Sequence, residues 1–406
     1  MNLSLHTEEK NLKAALQITG SKSESNRLLI LQALYPEISI DNLSNSDDSK
    51  VLKKALEKGN GIIDIHHAGT AMRFLTAYFA VKEGCEVELT GSKRMKERPV
   101  RLLVDALQRM GADITYKNET GYPPLLIKGK KLYASSVKLE ANVSSQYISA
   151  LMLIGATLPK GLEIILEGPV TSTPYILMTL EIIKQAGIHG KFVKDRIFIE
   201  PQESVKPVSI PVESDWSSAS YFYSLAAISE TAEIKLNNYR KESRQGDSSL
   251  AEIYKHFGVE TIYSENSITL KKIGKTRARS LREDLRNSPD IAQTIAITCL
   301  ATKTECMLTG LHTLKIKETD RLQALKNEIE KFGTEVRITG DSLQLIPNPD
   351  LRQGVEIETY NDHRMAMAFA PLALKTDLRI LDAEVVSKSY PDFWEDLKEL
   401  GYTYRE

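Results

Sequence analysis

VLKKALEKGNGIIDI, residues 51–65, carries the pattern by which the chain can be laid out. It reads as an amphipathic helix that stops at Gly59 and gives way to an alternating strand. The same order returns in VDALQRMGADITY (104–116), LEIIKQAGIHGKFV (180–193) and LAEIYKHFGVETIY (250–263), then in LKNEIEKFGTEVRI (325–338) and FWEDLKELGYTYRE (393–406). In every copy the helix meets a glycine: Gly59, Gly111, Gly187, Gly258, Gly333 or Gly401. Glycine is the residue best suited to a left-handed cap, so the spacing predicts six helix ends followed by strands.

A second set of helices interleaves with the first. SNRLLILQAL (25–34), TAMRFLTAYFAV (70–81), SQYISALMLIGATL (145–158), WSSASYFYSLAAI (216–228), PDIAQTIAITCLA (289–301) and DHRMAMAFAPLAL (362–374) are apolar on most sides. Helices of that kind are buried. They begin at small or polar residues, Ser23, Gly69, Ser144, Asp215, Ser288 before Pro289, and Asn361, several of them good caps. The implied unit is strand, buried helix, strand, amphipathic helix, strand. Six units of about 70 residues indicate stacked equivalents, three to a domain. PQESVKPVSIPVESD (201–215), with three prolines, is the expected crossing between the domains.

The composition excludes several classes. A chain of 406 residues has room for two or three domains with ample core. Lys+Arg 53 against Asp+Glu 54 offers no global attraction to nucleic acid or an anionic membrane. The start, MNLSLHTEEKN, lacks the form of a secretory signal, and no apolar run approaches the ~20 residues of a membrane span. Cys85, Cys299 and Cys306 are odd in number and lack metal spacing, which fits a reducing cytoplasm. GKT at 274–276 imitates the end of a phosphate-binding loop, but Thr269 stands where that loop requires glycine.

The chemically unusual residues lie at the starts of the buried helices: Lys22 and Arg27, Thr70 and Arg73, Ser144, Ser145 and Gln146, Asp215, Asp290, and His363 and Arg364. More cations stand ahead of the amphipathic helices at Arg94, Lys96 and Arg98, at Lys317 and Arg321, and at Lys388. In KIKETDRLQAL (315–325), a helical reading puts Lys317 and Arg321 on one face, with Glu318 one turn before Arg321. Alone, such a string would be a solvated first turn. Cations at a helix start oppose its dipole, however, and buried helix N-termini with cations make an anion site. His6, His66, His189, His256 and His312 read as structural or surface residues.

SKSESNR (21–27), AGTAMR (68–73), RMKERP (94–99), SSQYISALML (144–153), SDWSSASYF (214–222), PDIAQT (289–294), KIKETDRL (315–322), NDHRMAM (361–367) and KSYPDF (388–393) occur in the order of the enolpyruvyl transferases, which the whole chain resembles. The resemblance implies a two-domain inside-out α/β barrel of six βαβαββ-type units, three per domain. It implies a discontinuous domain of residues 1–19 and 213–406, a second of 20–212, and an active site in the cleft between them. It further implies addition of the 5-hydroxyl of shikimate 3-phosphate to phosphoenolpyruvate, then loss of phosphate, as in the shikimate pathway to aromatic amino acids. Metal and organic cofactor are not expected, nor is nucleic acid or membrane as a partner. A cytoplasmic monomer is expected.

By motif position, the resemblance assigns Lys22, Ser23, Arg27, Ser144, Ser145, Gln146, Ser172, Tyr175, Asp290 and Lys317 to shikimate 3-phosphate. It assigns Lys22, Gly69, Arg98, Gln146, Arg321, Arg364 and Lys388 to phosphoenolpyruvate. Asp290 is the implied base, assisted by Lys317, and Glu318 the implied proton donor, with His363 and Lys22 supporting proton transfer. The chain departs from the family pattern at His67, Thr313 and Phe74. Two rivals remain: a UDP-N-acetylglucosamine enolpyruvyl transferase, which commonly carries a reactive cysteine in the loop that here reads RMKERPV, and a non-enzymatic sugar-phosphate-binding protein.

Overall fold

The structure, a computed structural model, describes residues 1–140, 144–168, 170, 173–276, 278–348 and 350–405. It forms two compact units, Met1–Thr19 with Glu213–Glu406, and Gly20–Val212. All six glycines that end the amphipathic segments are left-handed, with φ of 66° at Gly59, 101° at Gly111, 81° at Gly187, 76° at Gly258, 85° at Gly333 and 84° at Gly401. A side chain at those angles would be strained, which is why the pattern could be followed through the sequence.

In the larger unit the buried helices are Trp216–Ile228, Ala292–Thr302 and His363–Phe369. The last passes into a 3₁₀ turn, Ala370–Leu374, where Pro371 removes a helical donor. One repeat shows how sheets wrap these helices. Ser280–Asp284 and Glu305–Thr309 pair in parallel on either side of helix Ala292–Thr302 in the chain. After helix Arg321–Glu330, the strands Glu335–Ile338 and Leu343–Ile346 form a hairpin, and the second strand lies antiparallel to Glu305–Thr309. Leu281, Cys306, Leu308, Val336, Leu343 and Leu345 turn one face of this sheet into the core, while Glu305 and Glu335 lie on the outer face. Helices inside and sheets outside is the inside-out α/β arrangement. Each fully buried Leu, Ile or Phe in it contributes ~1.5–3 kcal/mol.

The other two sheets of this unit are completed by the chain's first residues. Asn11–Leu16 pairs in parallel with Thr231–Asn237. Leu3–His6 lies between Leu378–Ile380 and Thr403–Arg405, antiparallel to both. In the smaller unit, helices Lys22–Leu34, Gly69–Val81 and Ser145–Gly155 occupy the core. Two sheets there have four strands, whereas the third has two, Val208–Pro211 in parallel with Ile38–Asp41.

That short sheet corrects the reading of residues 51–65. The strand after Gly59, Gly61–Asp64, pairs with Glu86–Thr90 and so opens the next repeat. The chain enters buried helix Gly69–Val81 soon afterwards, leaving no residues for a hairpin like that of Glu335–Ile338 with Leu343–Ile346. The repeat at 250 is also irregular: its helix covers Leu250–Ile253 and tightens to a 3₁₀ turn, Tyr254–Phe257. Among the described residues no helix is long and apolar enough to cross a membrane.

Candidate active site

Helix Arg321–Glu330 begins at Arg321, because Asp320 caps it by accepting a 3.1 Å hydrogen bond from the Gln323 backbone N–H. Lys317 therefore precedes the helix, and the expectation that it shares a helical face with Arg321 is corrected. Both cations still meet one atom. Arg321 Nη1 lies 2.9 Å, and Lys317 Nζ 3.5 Å, from Asp290 Oδ1. Asp290 stands in the 3₁₀ turn Pro289–Ile291 that leads into Ala292–Thr302, with Pro289 at a position where no helical N–H is needed.

Arg321 is the centre of the network in the larger unit. Its side chain is 2% exposed, and Nε donates to Asp362 Oδ2 at 2.6 Å. Nη1 donates to Asp290 at 2.9 Å, and Nη2 to Glu318 Oε2 at 2.9 Å and to Asp362 Oδ1 at 3.3 Å. Lys388 Nζ reaches Glu318 Oε1 at 3.4 Å, and Arg364 Nη2 reaches Asp290 Oδ2 at 3.2 Å. His363 is buried, with Nδ1 3.5 Å from Asp362 Oδ1. Asp362 caps helix His363–Phe369 by accepting from the Arg364 N–H at 2.9 Å, so the cap is Asp362 rather than Asn361.

These contacts set the protonation states. Burial alone would raise the Asp290 pKa, but Arg364, Lys317 and Arg321 hold it well below the usual carboxylate range. Burial opposes the charge on Arg364, but Asp290 together with Tyr221, Asp247 and Asp215 outweighs it, so that guanidinium stays firmly charged. Asp247 behaves in the opposite way: burial and then the negative charge of Asp290 push its carboxyl up to about 7. Ser217 donates to Asp247 Oδ2 and accepts from Arg364 Nη2 at 3.3 Å, while Asp247 Oδ1 has no hydrogen-bond partner among the described residues.

The smaller unit gathers a separate set. Lys22 opens helix Lys22–Leu34 behind a Ser21 cap, so the helix starts earlier than Ser23, and its Nζ lies 3.3 Å from the buried Asp48. Arg27 is buried and donates to Thr179 Oγ1 at 2.7 Å, Ser23 O at 2.7 Å and Ser149 Oγ at 2.9 Å. Its guanidinium lies 5.4 Å from the Phe74 ring centre and 5.8 Å from that of Tyr175. Burial lowers its pKa to about 10, so it remains charged near neutral pH.

Ser144 caps helix Ser145–Gly155, and Gln146 Nε2 donates to Thr70 Oγ1 at 3.1 Å, which ties that helix start to the start of Gly69–Val81. Ala68 precedes Gly69 without any side-chain cap. A Cβ at Gly69 would lie 2.5 Å from Arg98 Nη1, so a larger residue there would have to displace that guanidinium. Arg73 points elsewhere, donating to Gly69 O at 3.1 Å and Pro99 O at 2.9 Å. Ser172 lies outside the described residues.

Lys317, Arg321, Arg364 and Lys388 thus share the carboxylates Asp290, Glu318 and Asp362, while in the other unit Lys22 pairs with Asp48, Arg98 lies beside Gly69 and Gln146 meets Thr70. The family model described as EPSP synthase (3-phosphoshikimate 1-carboxyvinyltransferase) matches residues 50–397. The chain belongs to the EPSP synthase family. A 3-phosphoshikimate 1-carboxyvinyltransferase of Bacteroides fragilis (strain YCH46) is 45% identical over 395 residues, covering 96% of each chain. One from Haemophilus influenzae is 34% identical over 427 aligned positions, again covering 96% of each. An EPSP synthase structure from Acinetobacter baumannii superposes with a TM-score of 0.80 at 22% identity, covering 100% of both chains. The enolpyruvyl transferase NikO from Streptomyces tendae gives 0.77 at 13%, covering 100% of this chain and 98% of the other. These two likenesses bear on the fold.

As a member of the EPSP synthase family, the chain also carries polar residues that its sequence did not single out for the site. Asp48, Asp362, Asp247 and Ser217 each touch a predicted site residue or another in this group. Asp362 could have been found, since it directly precedes His363 and Arg364. Ser217 lies within SDWSSASYF (214–222), whereas Asp48 and Asp247 come from neighbouring elements and have no local signal. Cys85 is buried, its Sγ lies 3.4 Å from Phe79 O, and burial raises its pKa. It lacks the character of an activated thiolate. Among the described residues, no group of three or more His, Cys, Asp or Glu is arranged to hold a metal ion.

Proposed function

We propose that the residues described above perform the enolpyruvyl transfer of the EPSP synthase family on shikimate 3-phosphate and phosphoenolpyruvate. Lys22, Ser23, Arg27, Ser144, Ser145, Gln146, Ser172, Tyr175, Asp290 and Lys317 hold shikimate 3-phosphate. Lys22, Gly69, Arg98, Gln146, Arg321, Arg364 and Lys388 hold phosphoenolpyruvate. Asp290 takes the proton of the 5-hydroxyl as its oxygen bonds to C2 of phosphoenolpyruvate, and Glu318 delivers a proton to C3. The adduct then loses that C3 proton and inorganic phosphate, with Lys22 and His363 assisting near the leaving group. Atoms balance: one C–O bond forms, one breaks, and the products are the enolpyruvyl ether and phosphate.

The observation that carries this reading is the convergence of Lys317, Arg321 and Arg364 on the one carboxylate of Asp290. In that arrangement Asp290 is a weak base, because three cations stabilise its charge. Substrate anions drawn to Arg364, Arg321 and Lys317 take compensation away from Asp290. Its proton affinity rises when the hydroxyl to be deprotonated is in place. Binding and base strength are therefore coupled through shared cations.

A phosphate-release assay tests the reading. Phosphate should appear from phosphoenolpyruvate only with shikimate 3-phosphate present; turnover with UDP-N-acetylglucosamine instead would overturn it. The same reading takes the protein to be a cytoplasmic monomer with small-molecule substrates and no nucleic-acid or membrane partner. Its nearly balanced charge supports the last point. Sedimentation of a dimer at assay concentration would contradict the monomer.

A further inference from the structure

Arg321 and Glu328 lie two turns apart on one face of helix Arg321–Glu330. Both reach the segment that precedes His363. There, Thr359 to Asp362 make a tight turn closed by a 2.8 Å hydrogen bond from Asp362 N to Thr359 O. Both central residues are left-handed, with φ of 54° at Tyr360 and 55° at Asn361. Such turns are normally filled by Asn-Gly or similar pairs, and a bulky tyrosine disfavours the conformation.

Glu328 supplies the restraint. It is fully buried, yet three donors converge on it: Tyr360 OH on Oε1 at 2.8 Å, the Glu358 N–H on Oε2 at 3.0 Å and Lys331 Nζ on Oε2 at 2.6 Å. Lys331 continues to Glu356 O at 3.0 Å. Two turns earlier on the helix, Arg321 forks onto Asp362. The helix therefore grips the turn at both ends, and the residue that follows His363 is Arg364.

We propose that Glu328 is a positioning residue for phosphoenolpyruvate: by pinning the 358–362 turn it keeps Asp362 on Arg321 and fixes where Arg364 presents its guanidinium. The inference rests on the reading above that Arg364 holds phosphoenolpyruvate. Glu328 itself touches no residue assigned to either substrate and acts through the turn that leads to Arg364, so its effect should fall most heavily on the phosphoenolpyruvate KM rather than equally on every constant.

Steady-state kinetics of Glu328→Gln test this. KM for phosphoenolpyruvate should rise about ten-fold, as when one charge-assisted hydrogen bond loses its geometry, with clearly smaller changes in kcat and in the shikimate 3-phosphate KM. An unchanged phosphoenolpyruvate KM in a folded variant, or an equal loss in every constant, overturns the proposal. Should Glu328→Gln not fold, Tyr360→Phe removes only the hydroxyl that reaches Glu328. It should raise the same KM about three-fold, and no change there is equally fatal. Adding Tyr360→Asn and Asn361→Gly to Glu328→Gln installs a pair that adopts this turn unaided. Recovery of the KM supports pinning of the turn, whereas no recovery overturns it. Arg364→Lys run in parallel separates the two layers. If it leaves the phosphoenolpyruvate KM unchanged, the assignment of Arg364 falls and this proposal with it. If Arg364→Lys raises the KM and Glu328→Gln does not, only the positioning role falls.

Discussion

Arg321→Met asks how much of the larger unit's stability hangs on one buried guanidinium. Methionine fills similar space without charge, so the main loss is electrostatic. Removing one partner of a buried ion pair costs about 3–5 kcal/mol, because the other charge stays behind. Asp290 would keep Lys317 and Arg364, and Glu318 would keep Lys388. Asp362, whose side chain is 0% exposed, would keep only the Arg364 N–H at 2.9 Å and His363 at 3.5 Å among the contacts described here. One orphaned carboxylate, not three, sets the expected loss at about 3–5 kcal/mol. At ~2–4 °C per kcal/mol for a unit of this size, the melting midpoint should fall about 6–20 °C.

The sign of the pH dependence follows from Asp290. Its folded pKa is depressed, so it contributes stability above its unfolded value near 4 and loses that contribution as pH falls through the folded value. Arg321 supplies part of that contribution. The gap between wild type and variant should therefore be widest near neutrality and narrow below about pH 4. Scanning calorimetry at about pH 7 and about pH 3.5 reads both effects. Adding Asp362→Asn removes the orphaned charge and should recover part of the loss. A variant melting within about 2 °C of wild type at neutral pH, or a second substitution that lowers the midpoint further, refutes the reasoning.

Gly69→Ala would place a Cβ 2.5 Å from Arg98 Nη1 and displace the guanidinium, so the phosphoenolpyruvate KM should rise about ten-fold with little change in melting. An unchanged KM would put Arg98 outside the site. Asp290→Asn should cut turnover about 10²–10⁴-fold while shikimate 3-phosphate still binds; near-full turnover would remove Asp290 as the base. Asp247 has its folded pKa raised to about 7, so its stability contribution is fully present below about pH 4 and declines as pH rises through that value. Asp247→Asn should abolish the decline and gain on wild type in urea midpoint between about pH 4 and about pH 7, and a constant difference would contradict the raised value.

What could be read from the sequence was local. Buried helix Trp216–Ile228 shows its apolar circumference within a dozen or so residues, and Gly333 ends a periodic run in the left-handed turn that glycine suits best. Strand partnership is a different kind of information. Leu3–His6 joins Thr403–Arg405 across nearly the whole chain, and its alternation would suit the edge of any sheet. The same limit explains residues 51–65, where helix and strand were legible but the sheet that receives Gly61–Asp64 was not.

The site divides along the same line. Lys317, Arg321 and Asp290 stand out because cations at helix starts and an acid after proline are locally odd. Their meeting at one oxygen depends on how two helix starts of one repeat pack, which spacing within KIKETDRLQAL does not encode. Lys317 reaches Asp290 from an extended residue ahead of the helix, where helical periodicity gives no guidance. Asp362 stood in view directly before His363 and Arg364, but an aspartate there reads first as part of a helix start and gives no sign of a second partner. It does cap, and the same carboxylate also takes the Arg321 fork. A cap that also binds a buried arginine loses that ion pair when serine or asparagine replaces it, although either would satisfy the helix. Capping alone leaves the choice among those residues open; the buried guanidinium narrows it to a carboxylate.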